Sequence, residues 1–368
     1  MNSRVRSSVP WDLFAYKWGQ PVKPAKQRAL RVACALIAAC ALVGRFEGSA
    51  QTGTTLVATG SSLPEPLYLA WSEEYHKLHA DVQLRYLPQG TVESATGILA
   101  GTGDFGGGDA PIPDKLRDEG TAQIQELPSV LIGIVVVYNL PGATGELRLS
   151  GPLLADIYLG KLRAWNEPEI ANLNPEMNLP SVPVKVIHRT DGKGSNYIFS
   201  DYLAKVSPEF LAKAGRGVSP KWPAGEAIGR TEDLLEKVRN TPGAIGYTEL
   251  NWAEKFGLRT ARIRNAAGEF VKPSAKSIAE AAVALASKMG EDFRVSLVNA
   301  PGKESYPISS YTWLYVPILA KDPQRGRAVA DFLKWIYTGG QEVAQRMGYA
   351  PLPPSVLARV RPKAALIR

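Results

Sequence analysis

Strand signals and helix signals alternate along this chain, and that alternation limits the possible folds more than any other feature. β-rich runs at 55–58, 82–87 and 131–139 are each followed by a turn and then by apolar residues at helical spacing. The pattern predicts an α/β fold in which helices cover mostly parallel sheets. Late in the chain, the run 277–280 (SIAE) predicts a helix that begins with a capping box at Ser277.

Chain length and the absence of a long linker predict the number of domains. A chain of 368 residues is long enough for about two domains. We find no internal repeat and no linker long enough to separate the domains cleanly. We therefore expect two lobes that the chain crosses more than once.

The first 50 residues predict an export signal. They hold eight Lys and Arg against two acidic residues, so they carry six of the eight net positive charges. The remainder is nearly neutral and gives no support for a nucleic-acid partner. A basic stretch at 23–31 precedes an apolar run at 32–43, which is too short to span a bilayer, and small residues at 48–50 offer a cleavage site.

A second interpretation of this leader is open, because residues 37–40 (IAAC) resemble a bacterial lipobox that would place a lipid on Cys40. Both cysteines, Cys34 and Cys40, lie in the leader. The remainder therefore has no thiol, which excludes cysteine nucleophiles and cysteine-based metal sites there.

The segment 184–203 (VKVIHRTDGKGSNYIFSDYL) predicts a strand, a glycine-containing turn and the start of a helix. Unpaired backbone N–H groups and the helix dipole make such a helix start attractive to an anion. Arg189 adds a planar, permanently charged group suited to phosphate or carboxylate oxygens, and Lys193 lies between two glycines. The alternative is an ordinary Asp-Gly turn capped by Ser195, with two solvated cations.

Two more hydroxyl residues follow a strand and a glycine in the same way. Ser62 precedes a helix predicted from residue 64, and Thr91 precedes a helix predicted at 92–100. Each is typical of a plain N-cap, but together with Ser195 they favour helix starts that converge on one ligand. Asp109 lies between the glycine run 106–108 and Pro111, which predicts a rigidly held carboxylate where the backbone approaches a ligand; a glycine-rich surface turn is the alternative.

Several catalytic and cofactor classes lack their motifs. His76 and His79 are three residues apart at a helix end, but no third metal ligand is near them in the sequence, so we predict no metal site. The G-x-S-x-G element of serine hydrolases is absent, and Lys193 is followed by glycine rather than by the hydroxyl residue of a P-loop. A G-x-G-x-x-G run at 101–106 follows a helix instead of a strand, which excludes a dinucleotide site. We expect no cofactor and no enzyme.

Seven sequence blocks, spread from about Leu56 to Val360, resemble the periplasmic phosphate-binding protein of Pst-type phosphate ABC importers. They are 60–64 (GSSLP), 104–111 (DFGGGDAP), 156–161 (DIYLGK) with Trp165 and Asn166, 189–194 (RTDGKG), 242–247 (PGAIGY), 306–308 (YPI) and 348–353 (GYAPLP). The resemblance implies a two-lobed periplasmic binding protein fold (type II-like), each lobe a mostly parallel sheet flanked by helices, with the ligand in the cleft. The expected divisions are 1–50 for the export signal and leader, 51–138 with 308–368 for lobe 1, and 139–307 for lobe 2.

The resemblance also implies which residues contact the ligand: hydroxyls, backbone N–H groups, one guanidinium and one carboxylate. These are Ser62, Leu63, Thr91, Asp109, Arg189, Lys193, Gly194 and Ser195. Asp109 is the expected selective element, because an ionised carboxylate accepts a phosphate O–H and sulfate has none to offer. Lys193 replaces a small hydroxyl residue of the family, and Glu93 interrupts a run otherwise rich in Ser and Gly. Lys193 would attract any oxyanion and weaken this discrimination.

From the resemblance we expect an exported, periplasmic receptor that captures inorganic phosphate between its lobes. It would act as a monomer and deliver phosphate to an inner-membrane ABC permease with its ATPase. Three alternatives remain open: a receptor for another oxyanion, an exported phosphoryl-transfer enzyme with Ser62 or Ser195 as nucleophile, and a surface phosphate scavenger or adhesion protein, which a lipid on Cys40 would favour.

Overall fold

The computed structural model describes residues 53–190 and 192–368. The predicted export signal, its cleavage site and the lipid alternative at Cys40 lie outside the described residues. In the described ranges strands and helices alternate as expected, which confirms the α/β fold class. None of the helices in these ranges is long and apolar enough to cross a membrane.

Most strands of the described ranges belong to one large mixed sheet, in the order β2-β1-β3-β12-β4-β8-β6-β7 with β9 beside β4, and the rest form a small sheet in the order β11-β10-β5. The strands are β1 Thr54–Gly60, β2 Val82–Pro88, β3 Phe105–Gly108, β4 Ile124–Tyr138, β5 Arg148–Leu149, β6 Lys185–Arg189, β7 Glu226–Ile228, β8 Ala244–Glu249, β9 Arg259–Thr260, β10 Arg262–Arg264, β11 Phe270–Val271 and β12 Ser309–Pro317.

Most helices of the described ranges pack against this sheet and bury one face, as the apolar spacing predicts; the short helix at 114–119 has no buried residue. The helices are α1 Glu65–Leu78, α2 Thr91–Leu99, α3 Asp114–Glu119, α4 Gly151–Tyr158, α5 Pro168–Ala171, α6 Gly194–Val206, α7 Pro208–Ala214, α8 Thr231–Asn240, α9 Leu250–Lys255, α10 Ala275–Leu285, α11 Pro323–Ile336, α12 Gly339–Arg346 and α13 Pro354–Ala364. In α6 the buried side includes Ile198, Phe199, Tyr202 and Leu203, so this helix is held firmly beneath its N-terminus.

The long strand β4 joins the two parts of the large sheet. Up to Gly133 it pairs with β12, and from Ile134 it pairs with β8. Its residues are almost all buried, as a continuous apolar run requires. Pro128 has no N–H to give to the ladder, and the register with β12 shifts beside it, between Thr312 and Trp313.

Strand directions place two sets of strand ends face to face. On one side of β4, β1 pairs in parallel with β2 and β3; on the other side, β6 pairs in parallel with β7 and β8. The strand β12 is antiparallel to both β3 and β4, so β1–β3 run in the direction of β4. Because β8 is antiparallel to β4, the second parallel set runs the opposite way. The carboxyl ends of both sets therefore point towards each other.

The predicted lobe boundaries stay a prediction, because residues 51–368 form one compact unit by their contacts. The nearest structural feature is the change of partners within β4 after Gly133, five residues before the predicted boundary at 138.

One local expectation and one of the alternatives differ from the structure. The helix predicted from Ser277 begins at Ala275, because Ser274 is the N-cap and Ser277 takes the reciprocal position of the box: each hydroxyl accepts the other residue's backbone N–H. The glycine run 106–108 is part of a buried strand, not a surface turn. A Cβ on Gly108 would meet the Tyr315 hydroxyl at 1.9 Å, so this glycine makes room for a core side chain.

Candidate anion-binding site

The predicted site residues lie at the facing carboxyl ends of the two parallel strand sets. Ser62 and Leu63 follow β1, Thr91 begins α2 after β2, and Asp109 follows β3; Arg189 ends β6, with Lys193, Gly194 and Ser195 at the start of α6. In open α/β sheets, ligands bind beyond the carboxyl ends of parallel strands. The topology therefore puts all eight residues where such a fold binds its ligand.

The hydroxyls at these helix starts are not acting as plain N-caps. No side-chain hydrogen bond caps α1, α2 or α6. The Thr91 hydroxyl instead accepts the backbone N–H of Asp109 at 3.2 Å and lies 3.5 Å from Asp109 Oδ2. Ser195 is fully buried, and its hydroxyl has no hydrogen-bond partner among the described residues. The first-turn N–H groups of these helices thus keep their capacity to bind an anion.

Arg189 is held in a fixed orientation by two neighbours. Its side chain is 5% exposed, Nη1 donates to the Thr231 hydroxyl at 2.6 Å, and Nη2 donates to the Gly229 carbonyl at 2.7 Å. A guanidinium has five N–H donors, so donors remain for a ligand after these two bonds. The charge is not neutralised by either partner, because both are neutral groups.

Asp109 is fully buried and presses against the start of α6. A Cβ on Gly194 would meet Asp109 Oδ2 at 2.0 Å, so only glycine allows this contact between residues 85 positions apart. Asp109 Oδ1 has no hydrogen-bond partner in the described part of the chain. Burial raises the pKa of Asp109 to about 7, against hydrogen bonds from Ser61 and Thr91 that lower it, while the Glu249 charge raises it further. The carboxyl group can therefore gain or lose a proton near neutral pH.

One cavity of about 330 Å³ lies at these strand ends. Four of the predicted residues line it, namely Ser62, Leu63, Arg189 and Lys193. Thr91, Asp109 and Gly194 do not line the cavity but form a contacting cluster, with Ser195 next in the chain. Ser61 connects the two groups, because its hydroxyl accepts the Leu63 N–H at 3.1 Å and its proximity lowers the pKa of the Asp109 carboxyl group.

Sequence reasoning missed four residues that build this site. Ser61 is buried, whereas its neighbour Ser62 is exposed on the cavity side. Thr231 and Gly229 hold the guanidinium, and Glu249 places a buried carboxylate on the cavity wall. Thr231 shows the signal used for the other hydroxyls, a hydroxyl at a helix start after a glycine; the sequence has no comparable signal for Glu249.

The charges around the cavity do not favour an anion by number. Its wall includes three cations, Arg189, Lys193 and Arg230, and three carboxylates, Glu65, Glu232 and Glu249. Burial raises the pKa of Glu65, and the nearby Glu232 charge raises it further. An anion here would be held mainly by hydrogen-bond donors at short range, as at helix N-termini, and less by overall positive potential.

The two histidines that are three residues apart, His76 and His79, have other contacts. His76 Nδ1 lies 2.7 Å from the Val82 carbonyl oxygen, and the His79 ring stacks on Tyr75. In the described ranges, no group of three or more His, Cys, Asp or Glu side chains could hold a metal ion.

Comparison with known proteins identifies the family. A family model described as a PBP superfamily domain matches residues 47–339. The phosphate-binding protein PstS of Xylella fastidiosa (strain Temecula1) is 36% identical over 302 residues, which cover 82% of each chain.

Solved structures support the fold at lower identity. A high-affinity periplasmic phosphate-binding protein (PfluDING), solved with phosphate, has a TM-score of 0.66 at 19% identity, covering 84% of this chain and 93% of that one. An ABC-type phosphate transport receptor from Vibrio cholerae has a TM-score of 0.58 at 14% identity, covering 81% and 100%. These structures bear out the two-lobed architecture that the sequence blocks implied. The chain therefore belongs to the PBP superfamily and, within it, to the family of the phosphate-binding protein PstS.

Proposed function

We propose that this chain is an exported receptor that captures inorganic phosphate between two lobes and delivers it to an ABC permease in the inner membrane. The observation that carries the proposal is the packing of Gly194, at the N-terminus of α6, against Asp109, which follows a strand on the opposite side of β4, while Arg189 from the end of β6 lines the cavity at the same strand ends. This geometry supplies donors for three or four oxygens and one acceptor for a proton, which matches a tetrahedral anion that carries a proton.

Each contact would serve one part of the ligand. The free donors of Arg189 and the N–H groups of Gly194 and Ser195 would bind ionised oxygens, and the Ser195 hydroxyl would add one more donor. The Leu63 N–H would join them only by leaving the Ser61 hydroxyl to which it donates here. Asp109 would accept the phosphate O–H. Charge-assisted hydrogen bonds contribute roughly 1.5–3 kcal/mol each, so a few of them reach micromolar affinity, about −8 kcal/mol.

Delivery of phosphate would depend on bending at the connection between the two parts of the large sheet. The strand β4 pairs with β12 in its first half and with β8 in its second half, so it connects the two groups of facing strand ends, and bending there would change their separation. We propose lobe 1 as 51–138 with 308–368 and lobe 2 as 139–307, closing on phosphate as in other hinged receptors. The protein would act in the periplasm as a monomer, with the permease and its ATPase as partners.

The decisive experiment is a calorimetric titration of purified, ligand-stripped protein with phosphate, arsenate and sulfate. We expect one site per chain, micromolar or tighter binding of phosphate, similar binding of arsenate and much weaker binding of sulfate. A protein that binds sulfate better than phosphate would be a receptor for another oxyanion. A protein that binds none of the three would overturn the proposal.

The enzyme alternative gains no support from the site. Ser195 Oγ has no hydrogen-bond partner in the described ranges, so no general base contacts it. Release of the alcohol from a chromogenic phosphoester, measured with the wild-type protein, would reverse this conclusion.

A further inference from the structure

Two buried residues, Asn196 and Tyr247, hold the loop between β6 and α6 that presents the anion donors. Neither of them lines the cavity. The Tyr247 hydroxyl accepts the backbone N–H of Arg189 at 3.1 Å and donates its own proton to Asn196 Oδ1. The Asn196 amide then donates to the carbonyl of Thr190 at 2.8 Å and to that of Val218 at 3.1 Å.

Every polar group of this pair is used, which fixes its geometry. The hydroxyl has one proton, and the Arg189 N–H must be its donor, so the proton goes to Asn196 Oδ1. Both amide hydrogens of Asn196 are taken by carbonyls, so the amide cannot be flipped without placing an oxygen against two oxygens. The network therefore has one arrangement.

The network joins three segments that carry the donors of the site. It holds the end of β6, where Arg189 lies, and the first turn of α6, where Gly194 and Ser195 lie. It also holds the Val218 carbonyl, which accepts the N–H of Gly192 at 2.9 Å. These hydrogen bonds thus hold the turn between β6 and α6 through residues that do not line the cavity.

Resting on the proposed function, we infer that Asn196 and Tyr247 are positioning residues for oxyanion binding. They hold the Arg189 backbone and the α6 N-terminus in the geometry that the anion requires, without touching it. Hydrogen bonds to an anion depend steeply on distance and angle, so a loosened turn costs affinity even if the fold is intact.

The hydroxyl of Tyr247 can be tested apart from its ring. The ring stacks on Phe199 with centroids 4.2 Å apart and also packs near Trp222, so Tyr247→Phe keeps the core contacts. The substitution leaves the Arg189 N–H and Asn196 Oδ1 without their partner. Tyr138→Phe is a matched control, because its buried hydroxyl accepts the Leu147 N–H at 3.3 Å, at the end of β8 away from the cavity.

The experiment measures phosphate Kd by calorimetry and thermal midpoint without ligand for wild type, Tyr247→Phe, Asn196→Ala, the double variant and Tyr138→Phe. We expect each site variant to bind phosphate on the order of tenfold more weakly, with the double variant no weaker than the worse single one. Tyr138→Phe should lose thermal stability but keep the wild-type Kd. Amide exchange of residues 189–194 without ligand should rise in the two site variants only, which reports the loosened turn independently of binding.

The outcomes distinguish failure of the positioning role from failure of the proposed function. If wild type binds phosphate and both single variants bind it with the wild-type Kd, the positioning role is overturned and the proposed function stands. Additive losses in the double variant would also overturn it, since the residues would then act separately. A wild-type protein that binds no oxyanion would overturn the proposed function and this inference together.

Discussion

Asp109 gives the sharpest prediction, because its proton decides which oxyanion fits. Sulfate has no proton to offer, so it can bind beside Asp109 only if the carboxyl group is itself protonated. Burial raises the pKa of Asp109 to about 7. Protonating it therefore costs little at pH 6, and each pH unit above 7 adds about 1.4 kcal/mol.

The free energy needed to protonate Asp109 determines how strongly sulfate affinity depends on pH. Two unit charges 4 Å apart repel by about 4 kcal/mol at an effective dielectric constant of 20, so protonating Asp109 is the cheaper alternative up to about pH 10. We expect the sulfate affinity of the wild-type protein to fall roughly tenfold at pH 8 and hundredfold at pH 9, relative to pH 6. Phosphate still carries a proton in this range and should lose much less.

Asp109→Asn removes the titrating group and keeps its shape. Its amide can donate to an oxyanion at any pH, so sulfate affinity should become independent of pH between 6 and 9. At pH 9 the variant should bind sulfate about a hundredfold more tightly than wild type. Phosphate should bind roughly fivefold more weakly, because a neutral acceptor replaces a charge-assisted one.

Calorimetry with sulfate and phosphate at pH 6, 7, 8 and 9 tests this, with Glu65→Gln as the control. Glu65 contributes a carboxylate to the same cavity wall but is not the proposed acceptor, so its variant should keep the wild-type slope. A flat sulfate profile for the wild-type protein, or the same slope in Asp109→Asn, would refute the reasoning.

The stability of the ligand-free protein provides an independent check on the same group. Because burial raises the pKa of Asp109 from 3.8 to about 7, its stabilising contribution is fully present below pH 4 and is lost as pH rises through 7. The difference amounts to about 4 kcal/mol. The thermal midpoint of Asp109→Asn should therefore exceed that of wild type by more at pH 8 than at pH 4.

Three further substitutions test the geometry of the site by phosphate titration. Arg189→Ala should weaken binding at least a hundredfold, whereas Arg230→Ala, which removes a 73% exposed side chain from the same cavity, should change it little. Lys193→Ser should weaken phosphate and sulfate alike by roughly threefold, and less so in high salt; a loss confined to phosphate would contradict its role as a non-selective charge. Gly194→Ala should abolish binding, because the new Cβ would meet a carboxylate oxygen at 2.0 Å, while Gly97→Ala, within α2, has no atom nearer than 4.0 Å and should bind normally.

The local parts of this site could be predicted from the sequence because the residues that define each part lie within a few positions of one another. A strand, a glycine and a hydroxyl at a helix start place Thr91 and Ser195 with no knowledge of the rest of the fold. Arg189 at a strand end is equally local. The resemblance in seven blocks added the partner segments that no single motif defines.

What could not be predicted depends on contacts across the fold. The packing of Gly194 on Asp109 joins positions 85 residues apart, and the sequence around either residue gives no signal of this contact. The choice between Ser61 and Ser62 depends on how one turn rotates, which adjacent residues of the same type cannot reveal. The glycines of β3 pointed to a ligand, yet core side chains take their space: Tyr68 at Gly107 and, from a strand about 200 residues later, Tyr315 at Gly108.

The balance of charge around the cavity explains why a buried carboxylate of shifted pKa suits this site. The cavity wall has three carboxylates (Glu65, Glu232 and Glu249) and three cations (Arg189, Lys193 and Arg230), so long-range attraction cannot separate one oxyanion from another. Donors at helix starts do not separate them either, because phosphate and sulfate have the same tetrahedral shape. The remaining difference between the two anions is a proton. Only a group that must accept that proton, and that is poised near neutral pH, turns this difference into a difference in affinity.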